Sequence, residues 1–265
     1  MSEINEAYAY FCFGMKTFAV LFVTIGLVIF SCGPDVRKAT IDSLPDTVAV
    51  LPLKMQALDT IEKSEIELRM ESLGLVDILS LDSTFRVDLR YSSDQNFTGK
   101  DMYGQLNRCY LQKDVAEKLL VAQRELHKQF PYYSLLVFDG ARPVSIQRLM
   151  WDSVHLSPGD RQKYLSNPEN RSLHNYGAAV DLTIIDDQGR ELDMGTPYDF
   201  FGELAHPRNE HENYTAGKLT AAQMINRALL RSVMRTAGFT TIETEWWHFN
   251  SCSRVRAAEI YPVIP

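Results

Sequence analysis

The chain has 265 residues, 45% of them apolar, with 34 acidic against 27 basic side chains and a formal net charge of -7. That length and composition suit one substantial core and exclude a disordered or fibrous chain. With no run of basic residues, neither nucleic acid nor an anionic membrane surface is an expected partner.

The N-terminus carries the first signal. Lys16 precedes a mostly apolar run, Thr17 to Phe30, which ends in Ser31-Cys32-Gly33-Pro34. This is the length of a signal-peptide apolar region and short for a membrane-spanning helix. Ile29-Phe30-Ser31-Cys32 resembles a bacterial lipobox, although Phe30 stands where a small residue is usual. The resemblance implies lipidation at Cys32. Met15-Lys16 reads as a natural start, which makes residues 1–14 an upstream extension; otherwise Phe11-Cys12-Phe13 lengthens the apolar segment into an uncleaved anchor. Either way the body is expected outside the cytoplasmic membrane, in the bacterial cell envelope facing the periplasm, held by an N-terminal lipid or signal anchor. Residues 33–74 show no sustained period and read as a tether, helical or irregular near Ile61 to Leu73.

The folded domain is expected over residues 75–265. Val76 to Leu81 and Phe85 to Arg90 read as short strands, the second alternating at Phe85, Val87 and Leu89. Tyr91 to Tyr110, with Asn96-Phe97-Thr98-Gly99, is a long polar and aromatic loop, either a binding lip or a plain connection. Val115, Leu119, Ala122, Leu126 and Phe130 recur at helical spacing, with Asp114 expected as the N-cap and Pro131 ending the run. His127, at the end of that helix, reads as a structural histidine. An unbroken apolar strand, Ser134 to Phe138, runs into Asp139-Gly140-Ala141-Arg142-Pro143, and polar residues at such a junction are placed like active-site residues. Val144 to Val154 is a helix, and His155 to Arg171 a turn-rich surface loop.

His174 then lies in a loop before Gly177, and Ala179 to Ile185 reads as an apolar strand with Asp181 embedded in it. A carboxylate there is costly to bury unpaired, so it calls for a metal cation or an arginine partner. Asp186 to Gly189 closes a hairpin that returns to Leu192, and Asp193 to Phe201 is a second polar and aromatic loop. His206 and His211 read as surface residues. Thr220 to Ala237 is an amphipathic helix stopped by Gly238, and Phe239 to Asn250 is expected as the last long strand.

Two short stretches carry the chemistry. Ser172 to Leu182 offers His174 and Asp181; Glu245-Trp246-Trp247-His248 offers a second histidine and a glutamate. Two histidines and one aspartate leave a tetrahedral Zn2+ one open position, the arrangement of catalytic zinc, and a nearby glutamate outside that set can take a proton from water. The alternatives are an Arg142–Asp181 ion pair, tryptophans that serve only the core and His248 capping a strand end. Parity adds a demand: on a regular strand Glu245 and His248 point to opposite faces, so a bulge or turn must intervene. Cys109 and Cys252 are the cysteines of the domain; an oxidising compartment permits their pairing, and sequence separation cannot establish it. No cysteine pair has a CxxC spacing suited to zinc. The phosphate-loop, dinucleotide, GxSxG and HExxH motifs are absent.

In combination, His174-x6-Asp181, Glu245-x-x-His248 and Asp139-x-x-Arg142-Pro143 resemble the D-alanyl-D-alanine dipeptidases of the VanX type. So do Asn96-Phe97-Thr98-Gly99, Ser172-x-His174 and Met194-Gly195-Thr196-x-Tyr198-Asp199. The resemblance spans roughly residues 75–250. It implies an α+β fold of the hedgehog/D,D-peptidase kind, one domain with a small, mostly antiparallel central sheet flanked by helices. It also implies one Zn2+ per chain on His174, Asp181 and His248, with Glu245 as acid/base and Arg142 as donor to the developing oxyanion. Ser172 and Asp199 match positions that bind the substrate's carboxylate and amine, and Asp139 an orienting position behind them. The expected substrate is D-Ala-D-Ala or a close D,D-dipeptide. The rival readings are a D,D-carboxypeptidase acting on peptidoglycan stem peptides and a non-catalytic cell-wall-binding lipoprotein. No feature of the sequence sets an oligomeric state.

Overall fold

The structure, a computed structural model, describes residues 62–154, 161 and 165–265. The expected signal segment, the lipidation position Cys32 and most of the tether lie outside the described residues. Among the described residues no helix is long and apolar enough to cross a membrane.

The elements in chain order are α1 (Glu65–Ser72), β1 (Leu75–Asp77), β2 (Arg86–Val87), β3 (Tyr110–Gln112), α2 (Lys113–Gln129), β4 (Ser134–Asp139) and α3 (Val144–Ser153). β5 (Ala179–Ile185), α4 (Glu210–Thr215), α5 (Ala221–Thr236), β6 (Thr240–Thr241), β7 (His248–Asn250) and α6 (Arg254–Ile260) complete them. The fold is α+β, as the sequence implies. Its centre is a five-stranded sheet of order β2-β4-β5-β7-β6, antiparallel except for the parallel β2–β4 pair, and β1 and β3 form a separate antiparallel pair.

β5 is buried along its whole length, which is why its sequence is a continuous apolar run rather than an alternation. Along α2, Val115, Leu119, Ala122 and Leu126 form a fully buried stripe that packs on the Leu229, Leu230, Val233 and Met234 stripe of α5. Each valine, leucine or methionine among them contributes about 1.5–3 kcal/mol through burial. α5 starts at a capping box: Gln223 N donates to Thr220 Oγ1 at 3.2 Å and Thr220 N donates to Gln223 Oε1 at 2.8 Å.

Several expectations are corrected. Val76 to Leu81 is not one strand; Leu79 N donates to the Asp77 side chain at 3.1 Å, and the chain turns into a short 3-10 helix at Ile78–Ser80. Phe85 to Arg90 is a strand only at β2 before another 3-10 turn at Arg90–Ser92. Asp114 is not the cap of α2: Gln112 holds that position, and Asp114 accepts a hydrogen bond from Tyr261 Oη at 2.6 Å. The folded body reaches back before Leu75, because α1 places Met70 in the core. Cys109 and Cys252 are both free thiols, Cys109 buried and Cys252 half-buried. The largest correction is at Phe239 to Asn250. This stretch is a hairpin in which β6 pairs antiparallel with β7, Thr240 opposite Asn250 and Thr241 opposite Phe249.

Candidate active site

Three neighbouring strands and one tight turn bring the site together. In the sheet, Asp139 of β4 lies opposite Asp181 of β5, and Asp181 lies opposite His248 of β7. The first pairing depends on a register shift in β4 between Val137 and Asp139; such a bulge re-aims a side chain. The chain between β6 and β7 turns, so the alternation that would separate Glu245 from His248 is broken, and Glu245 Oε2 lies 3.9 Å from His248 Nδ1.

His174 enters from a 3-10 turn, Leu173–Tyr176. Ser172 caps it, its Oγ accepting from His174 N at 3.3 Å, and Gly177 ends it with a left-handed φ of 65°. A Cβ at Gly177 would lie 2.8 Å from Leu75 Cδ2, so the residue answers both a backbone and a packing requirement. The turn is stitched to the Arg142 segment: Arg142 N donates to His174 O at 2.9 Å, and Asn175 Nδ2 donates to Arg142 O at 2.8 Å.

His174 Nε2, His248 Nδ1 and Asp181 Oδ1 converge. Their separations are 3.2 Å between the histidines, 2.9 Å from His248 to Asp181 and 3.4 Å from His174 to Asp181. A tetrahedral ion with bonds of about 2.0–2.1 Å spaces its ligand atoms by about 3.3 Å, so this set can hold one. Each ring's other nitrogen is engaged with an oxygen: His174 Nδ1 with Gly140 O at 2.7 Å and His248 Nε2 with Asn250 Oδ1 at 2.8 Å. Neutral rings donating there turn bare lone pairs toward each other and toward a carboxylate. That arrangement requires a cation or an added proton.

The electrostatics follow from burial and pairing. Burial pushes the Asp181 carboxyl up, but His174 and His248 outweigh it and hold it well below the usual carboxylate range. Burial favours neutral His248, yet Asp181 and Glu245 push its pKa up to about 9. Burial raises Glu245 above an ordinary glutamate, opposed by His248. It raises Asp199 well above an ordinary aspartate, helped by the charge on Asp181.

Arg142 is 5% exposed and remains charged: burial disfavours the cation, and Asp139 together with the surrounding Tyr91, Tyr103 and Tyr198 more than compensates. Nε and Nη2 donate to Asp139 Oδ2, and Nη1 donates to Gln147 Oε1 at 2.9 Å. One N–H on each terminal nitrogen is left for a ligand. Nη2 stands 4.0 Å from Asp181 Oδ2, so the arginine borders the cluster while its main partner is Asp139. Asp139 is fully buried behind it and also accepts from Tyr103 Oη.

A cavity of about 180 Å³ is lined by His174, Asp181 and His248 together with Arg142, Glu245 and further residues that include Ser172 and Asp199. That is well below the roughly 300–1,000 Å³ of sites for drug-sized ligands and suits a very small substrate. The model of the peptidase M15 family, described as D-ala-D-ala dipeptidase, matches residues 71–263. The chain belongs to this metallopeptidase family.

Two relatives show how far the likeness extends. The D-alanyl-D-alanine dipeptidase of Escherichia coli is 33% identical over 194 residues, 73% of this chain and 91% of that protein. The enzyme of the same name from Enterococcus faecalis is 32% identical over 179 residues, 62% of this chain and 84% of that protein. A solved structure, the vancomycin resistance D,D-dipeptidase VanXYg with a D-Ala-D-Ala phosphinate analogue, is 18% identical with a TM-score of 0.35, covering 57% of this chain and 54% of that one. That likeness is too distant to bear on the site.

Within this metallopeptidase, the described candidates Arg142, Ser172, His174, Asp181, Asp199, Glu245 and His248 line one cavity, and Asp139 lies behind Arg142. Ser172 lines it while its hydroxyl also caps the His174 turn. Asp199 adopts a left-handed φ of 57°, and Tyr91 Oη donates to its Oδ2 at 2.9 Å. His127 hydrogen-bonds Gln123 within its own helix, and Trp246 and Trp247 pack edge to face in the core. Three participants were not singled out from the sequence, Asn250, Gln147 and Tyr91; Tyr198 was quoted within a motif but given no role, and its Oη donates to Asp181 Oδ2 at 3.1 Å. Asn250 had a signal, since positions two apart on a strand share a face.

Proposed function

We propose that the protein is a zinc-dependent D,D-dipeptidase, with D-Ala-D-Ala or a close D,D-dipeptide as substrate and one Zn2+ per chain held by His174, Asp181 and His248. The observation that carries the reading is the convergence of three ligand atoms at tetrahedral spacing, with both histidine tautomers fixed from behind. A bound Zn2+ supplies Lewis acidity, which makes a water nucleophilic near neutral pH and polarises the scissile carbonyl.

The chain's own residues do the rest. Glu245, raised above an ordinary glutamate by burial, accepts the attacking water's proton and passes it to the leaving amine. Arg142, held by Asp139 and Gln147, directs its free N–H groups at the carbonyl oxygen, where negative charge develops only in the transition state. Asp199, with Tyr91, receives the substrate's free amine. Ser172 receives its carboxylate.

Two relatives bearing the dipeptidase name support the substrate class. The deciding experiment measures zinc content and hydrolysis of D-Ala-D-Ala against an N-acylated stem peptide. Faster turnover of the acylated substrate replaces the reading with a D,D-carboxypeptidase. Absence of zinc, with hydrolysis unchanged by Glu245→Ala, leaves a binding lipoprotein. We also propose an envelope location with Cys32 lipidated; incorporation of labelled fatty acid that persists in Cys32→Ser overturns this.

A further inference from the structure

One helix holds both ends of the loop that carries Tyr198 and Asp199. On α5, Gln223, Asn226 and Arg227 share a face. Gln223 Nε2 donates to Asp193 Oδ2 at 2.8 Å, Asn226 Nδ2 donates to Asp193 O at 2.8 Å, and Arg227 Nε donates to Met194 O at 2.6 Å. The same guanidinium reaches the far end, where Nη2 donates to Leu204 O at 3.0 Å. Arg227 is 1% exposed. Its charge is met by Glu210 at 3.4 Å, and Arg231 grips that carboxylate with two bonds of 2.8 Å.

A buried guanidinium carries a large desolvation cost, and its rigid fork can bind two carbonyls at once where an ammonium cannot. Between the two fixed ends the chain holds Asp199 at a φ of 57°, a conformation that a residue with a side chain keeps only where its surroundings impose it.

We infer that Arg227 is a positioning residue for substrate selection: by tying Met194 and Leu204 it holds the intervening loop in the shape that presents Asp199 to the substrate's free amine. The inference rests on the reading of Asp199 as the amine's partner.

The test compares kcat/KM for D-Ala-D-Ala with that for propionyl-D-alanine, which has the same length and lacks the amine. Arg227→Met lowers the ratio of the two by about tenfold, mainly through KM for D-Ala-D-Ala, since small misplacements of a binding group are amplified in rate. Arg227→Lys recovers part of the ratio. Asn226→Ala, which cuts one tie at a half-buried position, moves it in the same direction. Arg231→Met, which touches Glu210 and not the loop, leaves it unchanged. If Arg227→Met does not fold, Arg227→Lys and Asn226→Ala decide. Folded variants that slow both substrates equally, or neither, overturn the inference. Asp199→Asn separates the two levels: if it leaves the ratio unchanged, the amine reading has failed; if it collapses the ratio while the Arg227 and Asn226 variants do not, only the role of Arg227 has failed.

Discussion

His174 Nε2 and His248 Nδ1 point at each other across 3.2 Å, while each ring's second nitrogen is engaged with an oxygen of its own. The proposed metal set is therefore oriented by what stands behind it. Asn250→Ala removes the partner of His248 without touching a ligand, and losses of this kind weaken metal affinity about 10- to 100-fold. Competition with a chromogenic chelator measures this; affinity equal to that of the parent protein would mean that Asn250 does not orient the ring.

In the proposed mechanism Glu245 acts as a base, which requires it to be ionised. Burial raises its pKa above the ordinary 4.5, so the acid limb of the kcat/KM profile lies at higher pH than an ordinary carboxylate gives, with activity rising as pH increases through it. Glu245→Gln lowers the rate about 100- to 10,000-fold, retains zinc and erases the limb. A limb that persists in Glu245→Gln assigns it to another group.

In the proposed mechanism Arg142 faces the carbonyl oxygen, and Arg142→Ala costs about 100- to 1,000-fold, mostly in kcat. Gln147→Leu frees one arm of the same guanidinium and lowers kcat by less, with zinc content unchanged. Steady-state kinetics beside metal analysis checks both. A pure KM effect from Arg142→Ala would move the residue from transition-state to ground-state binding.

Gly177→Ala places a Cβ 2.8 Å from Leu75 Cδ2 at a φ of 65°. The left-handed backbone alone costs about 1–2 kcal/mol, which at this size corresponds to a fall in Tm of about 2–8 °C. Because Gly177 ends the turn that carries His174, zinc affinity falls as well. Calorimetry of the zinc-loaded and chelated forms separates the two effects.

Burial pushes the Cys109 thiol up, and Cys252 is half-buried and free. Iodoacetamide at neutral pH therefore labels Cys252 and spares Cys109 in the native protein, whereas both react in denaturant without a reductant. Peptide mass mapping reads this directly, and protection of both residues until reduction would reveal a bridge.

The parts of the site that lie on one local pattern were legible in the sequence. Asp181 stood out as a carboxylate inside an apolar strand, and the parity conflict between Glu245 and His248 foretold the break now seen as the β6–β7 turn. The same stretch also misled, because Phe239, Trp246, Trp247 and Phe249 read as one long apolar strand. The turn between them is stabilised by distant partners, such as Trp246 Nε1 donating to Thr196 Oγ1 at 2.8 Å. The roles of Gln147 and Tyr198 were illegible for a related reason. Gln147 sits on an amphipathic helix and Tyr198 in a loop, and only tertiary packing turns one toward Arg142 and the other toward Asp181. The short extent of β1 and β2 was settled by local hydrogen bonds that compete with strand pairing, whereas at the start of α2 the partners are distant: Gln112 donates to Tyr176 O and Asp114 accepts from Tyr261.

The row formed by Asp139, Asp181 and His248 across β4, β5 and β7 has a consequence for how the chain can vary in length. Inserting or deleting one residue inside any of these strands slides its side chains to the opposite face and takes its member out of the row. The connection at residues 186–189 bears no such constraint, whereas the one at 242–247 carries Glu245 and is held to its length by the site. Chains of this fold can therefore gain or lose residues at connections of the first kind, while the strands keep a fixed count.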